Sequence, residues 1–342
     1  LSPPASCHAL THSLTGANSH GCMLKSRLTM ESILMTLFFP AHLRTWLLGA
    51  AFCLTGLLGI GAAQAAPLLD RIKDRLTPTR PPVESIKDLT YGSHKAQRFD
   101  VYHPEDAEDA PVIFMVHGGA WRMGSKDASK VVNHKVDRWV PKGFVVVSVN
   151  YRMLPDADPL EQARDVAQAL TTAQAQAADW GGDPAKFILM GHSAGAHLVA
   201  LIHASPILAT GLGAKPWLGA VLLDSAALDV VRVMEGKHPR LYDRAFGRDP
   251  GFWQATSPWH QMGKGAAPVL AVCSTQREDA CRQADRYRDK AAGLGTRASV
   301  LPQDLSHSEI NARLGMPGAY TRSVEQFMSR LDPVVATRLR HP

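Results

Sequence analysis

The sequence predicts an α/β fold: a doubly wound, mostly parallel sheet with helices on both faces and a small cap-like insertion. Three observations predict it. Apolar strand-like runs alternate with helix-like stretches over most of the chain. Several runs are unbroken and β-branched, such as Val145-Val146-Val147, the pattern of a strand buried on both faces. One connection, residues 229–262, is long and aromatic, with Tyr242, Phe246, Phe252, Trp253 and Trp259, where a plain turn would serve.

In chain order, strands are expected at Gln97–Tyr102, Val112–His117, Phe144–Asn150, Phe187–Met190, Ala220–Leu223, Val269–Cys273 and Ala298–Leu301. Helices are expected near 126–139, 158–179, 194–204, 280–293 and 318–331. The second carries Leu160, Ala163, Val166, Ala167 and Leu170 at helical spacing. Residues 229–262 are expected to form either a small cap or a helix pair against the sheet edge.

The first 88 residues read differently. From Thr45 to Leu69 no side chain is charged, Arg44 precedes the run, and Ala63-Gln64-Ala65 supplies a small-residue cleavage pattern. Residues 30–65 therefore read as a secretory signal peptide cleaved after Ala65, which places the mature protein in the periplasm or outside the cell. The alternative is an uncleaved membrane anchor, since the run is long enough to span a bilayer. Residues 1–29 lie ahead of the leader and are expected to be a non-native extension. Residues 66–88, with Pro78, Pro81 and Pro82, read as a linker into a domain over 89–342.

Charge and cysteine content narrow the function classes. The formal net charge is +6; losing residues 1–65 removes Lys25, Arg27 and Arg44 against Glu31 and leaves +4. The remaining charges are interspersed, so no nucleic-acid partner is expected. Once the leader is cleaved, no stable membrane partner is expected either. Cys7, Cys22 and Cys53 leave with the leader. Cys273 and Cys281 remain as an even pair, which in an exported protein suggests a disulfide. Neither fits a zinc pattern, and no metal is expected.

Two motifs carry chemistry. Gly191-His192-Ser193-Ala194-Gly195 follows the strand run ending at Met190 and precedes a helix-like stretch. That is G-x-S-x-G in strand–turn–helix context, a sharp turn that lifts Ser193 above the sheet as a nucleophile. His117-Gly118-Gly119-Ala120-Trp121 follows the strand Val112–Val116. Its glycines let backbone N–H groups approach a developing oxyanion, joined by the N–H of Ala194. Trp121 is a candidate wall of the substrate pocket, or else a loop side chain covering the core.

On these motifs, with Asn150-Tyr151-Arg152 and Gly181-Gly182-Asp183-Pro184, the chain resembles the α/β-hydrolase superfamily over roughly residues 95–331. The resemblance is to its esterase branch, with hormone-sensitive-lipase-like and feruloyl-esterase-like enzymes and kynurenine formamidases. Ala120, where a third glycine is common, departs from that pattern. The resemblance implies the chain order Ser, acid, His, which makes His307, after the last strand, the general base. Only His341 also follows that strand. Relatives usually place the acid about four residues past the preceding strand, but here that position is Arg277. Asp279 is the expected acid and Glu278 the alternative. Asp224 and Asp229 read as structural, although some related folds place the acid there. His192 and His197 read as a variable elbow residue and a packed helix residue.

The function implied is cofactor-free hydrolysis of a small-molecule carboxylic ester through an acyl-enzyme. Hydrolysis of an N-formyl amide or a lipid ester are the alternatives, and a non-catalytic binding protein on the same fold a remote one.

Overall fold

Eight strands form one sheet in the order β1-β2-β4-β3-β5-β6-β7-β8. They are β1 Val83–Thr90, β2 Arg98–Pro104, β3 Ala110–Val116, β4 Val145–Val149, β5 Gly182–His192, β6 Gly219–Leu223, β7 Val269–Ser274 and β8 Ala298–Gln303. The computed structural model describes residues 82–225 and 227–340, all within the unit Arg80–Pro342. The expected leader, the extension ahead of it and His341 lie outside the described residues.

From β4 to β8 every neighbouring pair runs parallel, and β1 and β2 add an antiparallel edge. The sheet is mixed and mostly parallel, as the continuous apolar runs imply. Strand β3 is buried along its whole length. Its side chains alternate between two cores: Val112, Phe114 and Val116 face one, Ile113 and Met115 the other.

Twelve α-helices are formed among the described residues: α1 Ser129–Trp139, α2 Pro159–Ala175, α3 Ala194–Ala204, α4 Ile207–Thr210, α5 Val230–Glu235, α6 Arg240–Phe246, α7 Pro250–Ala255, α8 Pro258–Gln261, α9 Ala280–Gly293, α10 His307–Ala312, α11 Ala319–Met328 and α12 Pro333–Arg340. Helices α2 and α3 pack into the first core, and α1, α11 and α12 into the second. None of these helices is long and apolar enough to cross a membrane.

Two boundaries differ from expectation. The linker expected over 66–88 overlaps β1, which pairs with β2 from Val83 onward. Most side chains of this edge strand are exposed, so it carries no apolar alternation by which to recognise it. Residues 229–262 form the four short helices α5 to α8, two more than a helix pair. Asp229 and Asp249 accept hydrogen bonds from the first turns of α5 and α7, ending one helix and starting the next over short distances.

Candidate active site

The site lies where the carboxyl ends of β3, β5, β6, β7 and β8 meet, the crevice in which open α/β sheets place their ligands. Ser193 stands between the end of β5 and the first residue of α3, with φ 56° and ψ −118°. This tight turn requires glycine beside it. A Cβ on Gly195 would come within 2.3 Å of the Val116 carbonyl oxygen, and one on Gly191 within 2.4 Å of the Gly195 oxygen. The backbone N–H of Ser193 donates to Leu223 O on β6 at 2.9 Å, fixing the turn to the neighbouring strand.

His307 is the first residue of α10. Ser306 and Glu309 close a capping box around that end, with the Ser306 N–H donating to Glu309 Oε2 at 3.0 Å. The box sets where the helix begins and so where the imidazole points. His307 Nε2 lies 2.8 Å from Ser193 Oγ, and Nδ1 lies 2.6 Å from Asp224 Oδ2. With Ser193 donating to Nε2, the ring carries its proton on Nδ1 and donates it to Asp224.

The carboxylate at the imidazole is therefore Asp224, at the end of β6, and not Asp279. Asp279 is exposed, and its Oδ1 accepts from Arg282 at 2.6 Å; Glu278 is more exposed still and faces the same arginine. Both sit just ahead of α9, and among the described residues neither has a hydrogen bond to the imidazole. Arg277, the departure from the family pattern noted in the sequence, is the residue of this loop that reaches the imidazole. Its Nη1 donates to Asp224 Oδ2 at 2.8 Å and to Asp224 O at 3.0 Å. The same nitrogen lies 3.0 Å from His307 Nδ1. Since the Nδ1 proton is directed at Asp224, that last approach is a contact of charge and ring, not a hydrogen bond.

Asp224 is fully buried, and its other oxygen accepts from the Ser274 N–H at 2.8 Å. Burial alone would raise its carboxyl. The hydrogen bond from His307, the Arg277 charge and the Ser274 N–H outweigh burial and hold it below the usual carboxylate range. Cys273 and Cys281 are joined in a disulfide. The bridge closes the loop that carries Arg277 at its midpoint.

The loop after β3 forms the facing wall. Gly119 has φ +133°, and a Cβ there would meet Met123 O at 1.8 Å, so only glycine fits. Gly118 lies against Ser193, whose Cβ would be 2.7 Å from a Cβ added at Gly118. The N–H groups of Gly118 and Gly119 make no backbone hydrogen bond among the described residues. Both line a cavity of about 710 Å³ together with Ala194, Ser193 and His307. His117 does not enter the chemistry. It is buried, stacks on Tyr151 at 4.6 Å, and donates from Nδ1 to Gly118 O at 2.8 Å, which braces the loop.

Trp121 combines the two roles considered for it. It lines the cavity, yet it is 97% buried, because only 3% of its surface is exposed. Its ring contacts Phe246 and Tyr242 from α6. Its Nε1 donates to His197 Nδ1 at 3.1 Å, and His197 Nε2 donates to Thr256 O at 2.7 Å. His197 thus ties together the Gly-Gly loop, helix α3 and the 229–262 segment. Burial pushes it down to about 4, so it is neutral.

His192, treated from sequence as a variable position, has a specific contact. Its ring lies 4.6 Å from that of His307, and its Nε2 donates to His307 O at 2.9 Å. Burial, with His307 adding to it, pushes His192 down to about 3 and keeps it neutral. The elbow thereby holds the backbone of His307 as well as facing its side chain. Among the described residues no group of three or more His, Cys, Asp or Glu is placed to hold a metal ion.

This sheet, elbow and histidine-bearing loop are arranged as in the α/β-hydrolase fold. Residues 99–207 match the family described as BD-FAE. Esterase LipQ of Mycobacterium tuberculosis is 29% identical over 210 residues, covering 57% of this chain and 49% of LipQ. Kynurenine formamidase of Danio rerio is 33% identical over 120 residues, covering 35% of this chain and 39% of that protein. The chain spans about a quarter to a half of the length of the curated relatives it matches. Among solved structures, Esterase B from Lactobacillus rhamnosis aligns with a TM-score of 0.61 at 19% identity, covering 83% of this chain and 96% of that one. That likeness shows the fold.

Proposed function

We propose that the protein is a serine esterase, exported from the cytoplasm, that hydrolyses small carboxylic esters. The observation that carries this is the unbroken line Ser193 Oγ–His307–Asp224, at 2.8 and 2.6 Å, beside two glycine N–H groups that make no backbone hydrogen bond among the described residues. In this reading His307 Nε2 takes the Ser193 proton as Oγ attacks the ester carbonyl. Asp224 holds the Nδ1 tautomer and stabilises the imidazolium. The N–H groups of Gly118, Gly119 and Ala194 bind the oxyanion. The imidazolium then protonates the leaving alcohol, and water, activated by the same imidazole, releases the acid.

The disulfide supports export, since such bonds persist in oxidising compartments. Likeness to a kynurenine formamidase favours a second reading, attack on an N-formyl amide by the same residues. A panel of p-nitrophenyl esters of graded chain length, a feruloyl ester and N-formylkynurenine separates these substrates. Ser193→Ala should abolish turnover and labelling by a fluorophosphonate probe with the fold intact. Labelling that survives the substitution overturns the assignment. Recovery of the mature chain from the periplasm, beginning at Ala66, tests export.

A further inference from the structure

We infer that the cavity over Ser193 selects esters that carry a second, anionic group such as a carboxylate, and that Lys130 is the residue that reads it. The inference rests on the esterase reading above. Its ground is the charge lining the cavity. Lys130 and Arg277 line it, and among the described residues no aspartate or glutamate does. Arg277 is already matched by Asp224 at 2.8 Å. Lys130 is different. It is exposed near the start of α1, and among the described residues its only polar contact is Nζ donating to Ser308 Oγ at 3.3 Å. It pairs with no carboxylate among the described residues. Asp127, in the loop just ahead of α1, is held by the Ser125 hydroxyl.

An unmatched ammonium therefore stands beside Ser308, the residue next to His307, on the wall of a cavity whose remaining surface includes Trp121, Met123, Val131 and Leu241. An anion entering this cavity meets one cation without a counter-ion and no opposing carboxylate. A neutral ester gains nothing from it. The group recognised is an anion several bonds from the scissile carbonyl, on either the acyl or the alcohol side.

Two matched pairs of substrates distinguish the sides. 4-Nitrophenyl hydrogen glutarate against 4-nitrophenyl valerate places the charge in the acyl group. 4-Carboxyphenyl butyrate against 4-carbamoylphenyl butyrate places it in the leaving group. For at least one pair, Lys130→Met should lower kcat/KM of the anionic ester by about threefold to fivefold, the upper scale of one solvent-facing charge pair, with its neutral partner within about twofold of wild type. Lys130→Glu should lower it further, Lys130→Arg should retain it, and 0.5 M NaCl should narrow the wild-type preference. Equal effects of Lys130→Glu on both members of both pairs would overturn the inference while leaving the esterase reading in place. Failure of the wild-type protein to hydrolyse any of the four esters would overturn the esterase reading, and this inference with it.

Discussion

Replacing Asp224 by asparagine keeps the shape of the side chain and removes its charge. Three hydrogen bonds end on that carboxylate, from His307, Arg277 and the Ser274 N–H, and none of its surface reaches solvent. An amide can present its NH₂ toward His307 only if the ring changes tautomer, which places the proton on Nε2 and removes the acceptor for Ser193. The arrangement predicts a loss of about 10⁴-fold in kcat, equivalent to about 5.5 kcal/mol of transition-state stabilisation. Stability should fall as well, because the Arg277 charge loses its partner. Arg277 is partly solvated, so that cost should lie near or below the low end of the ~3–5 kcal/mol seen for breaking buried pairs. The assay is turnover of p-nitrophenyl butyrate under saturating substrate, with circular dichroism to verify folding. Asp279→Asn, which disturbs only an exposed contact to Arg282, should keep wild-type kcat within about twofold. A dead Asp279→Asn beside an active Asp224→Asn would refute the reasoning and place the acid on the α9 loop.

Three further outcomes follow from named contacts. Reducing the Cys273–Cys281 bridge frees the loop that holds Arg277 against Asp224. It should cost about 2.5 kcal/mol on the chain-entropy account and lower kcat severalfold, as read by melting temperature and activity with and without reductant. His192→Leu removes the hydrogen bond to His307 O and should lower kcat about tenfold with little change in KM; an unchanged kcat would show that the capping box alone positions the histidine. His197 and His203 are buried and held at about 4, below their unfolded value near 6.5. Between those values the unfolded chain binds more protons than the folded one. Stability should be fully present above pH 6.5 and fall as pH drops toward 4, and His203→Gln should flatten that slope in urea titrations across the window.

Much of the site was legible because its pieces are local in sequence. The elbow and the Gly-Gly loop each lie within five residues, and each is written in residue types that the backbone geometry demands. The carboxylate at the imidazole was not local. Asp224 reaches His307 across 83 positions, from the end of a different strand, and nothing near it marks it apart from any aspartate that follows a strand. A signal did exist. Arg277, a cation where the resemblance implied an acid, could have indicated that the carboxylate comes from a neighbouring strand end to meet it. The sheet was legible wherever strands are buried on both faces. Strand β1 was not, because its exposed side chains carry no pattern of burial.

The backbone torsions of the site have a consequence for how this protein can be improved. Six non-glycine residues among those described have positive φ, and four of them, Ala120, Trp121, Ser193 and Asp224, surround the cavity or the charge line behind it. Left-handed torsions at such residues each cost on the order of 1 kcal/mol. The molecule therefore holds part of its stability in reserve at the place where it can least release it. Ser193→Gly would relieve the elbow and should raise the melting temperature while removing the nucleophile. Ala120→Gly should relax the facing loop, and loosen it. Selection for heat resistance alone would drift toward these changes and return robust, inactive protein. A thermostable form that still works has to be sought away from these four positions.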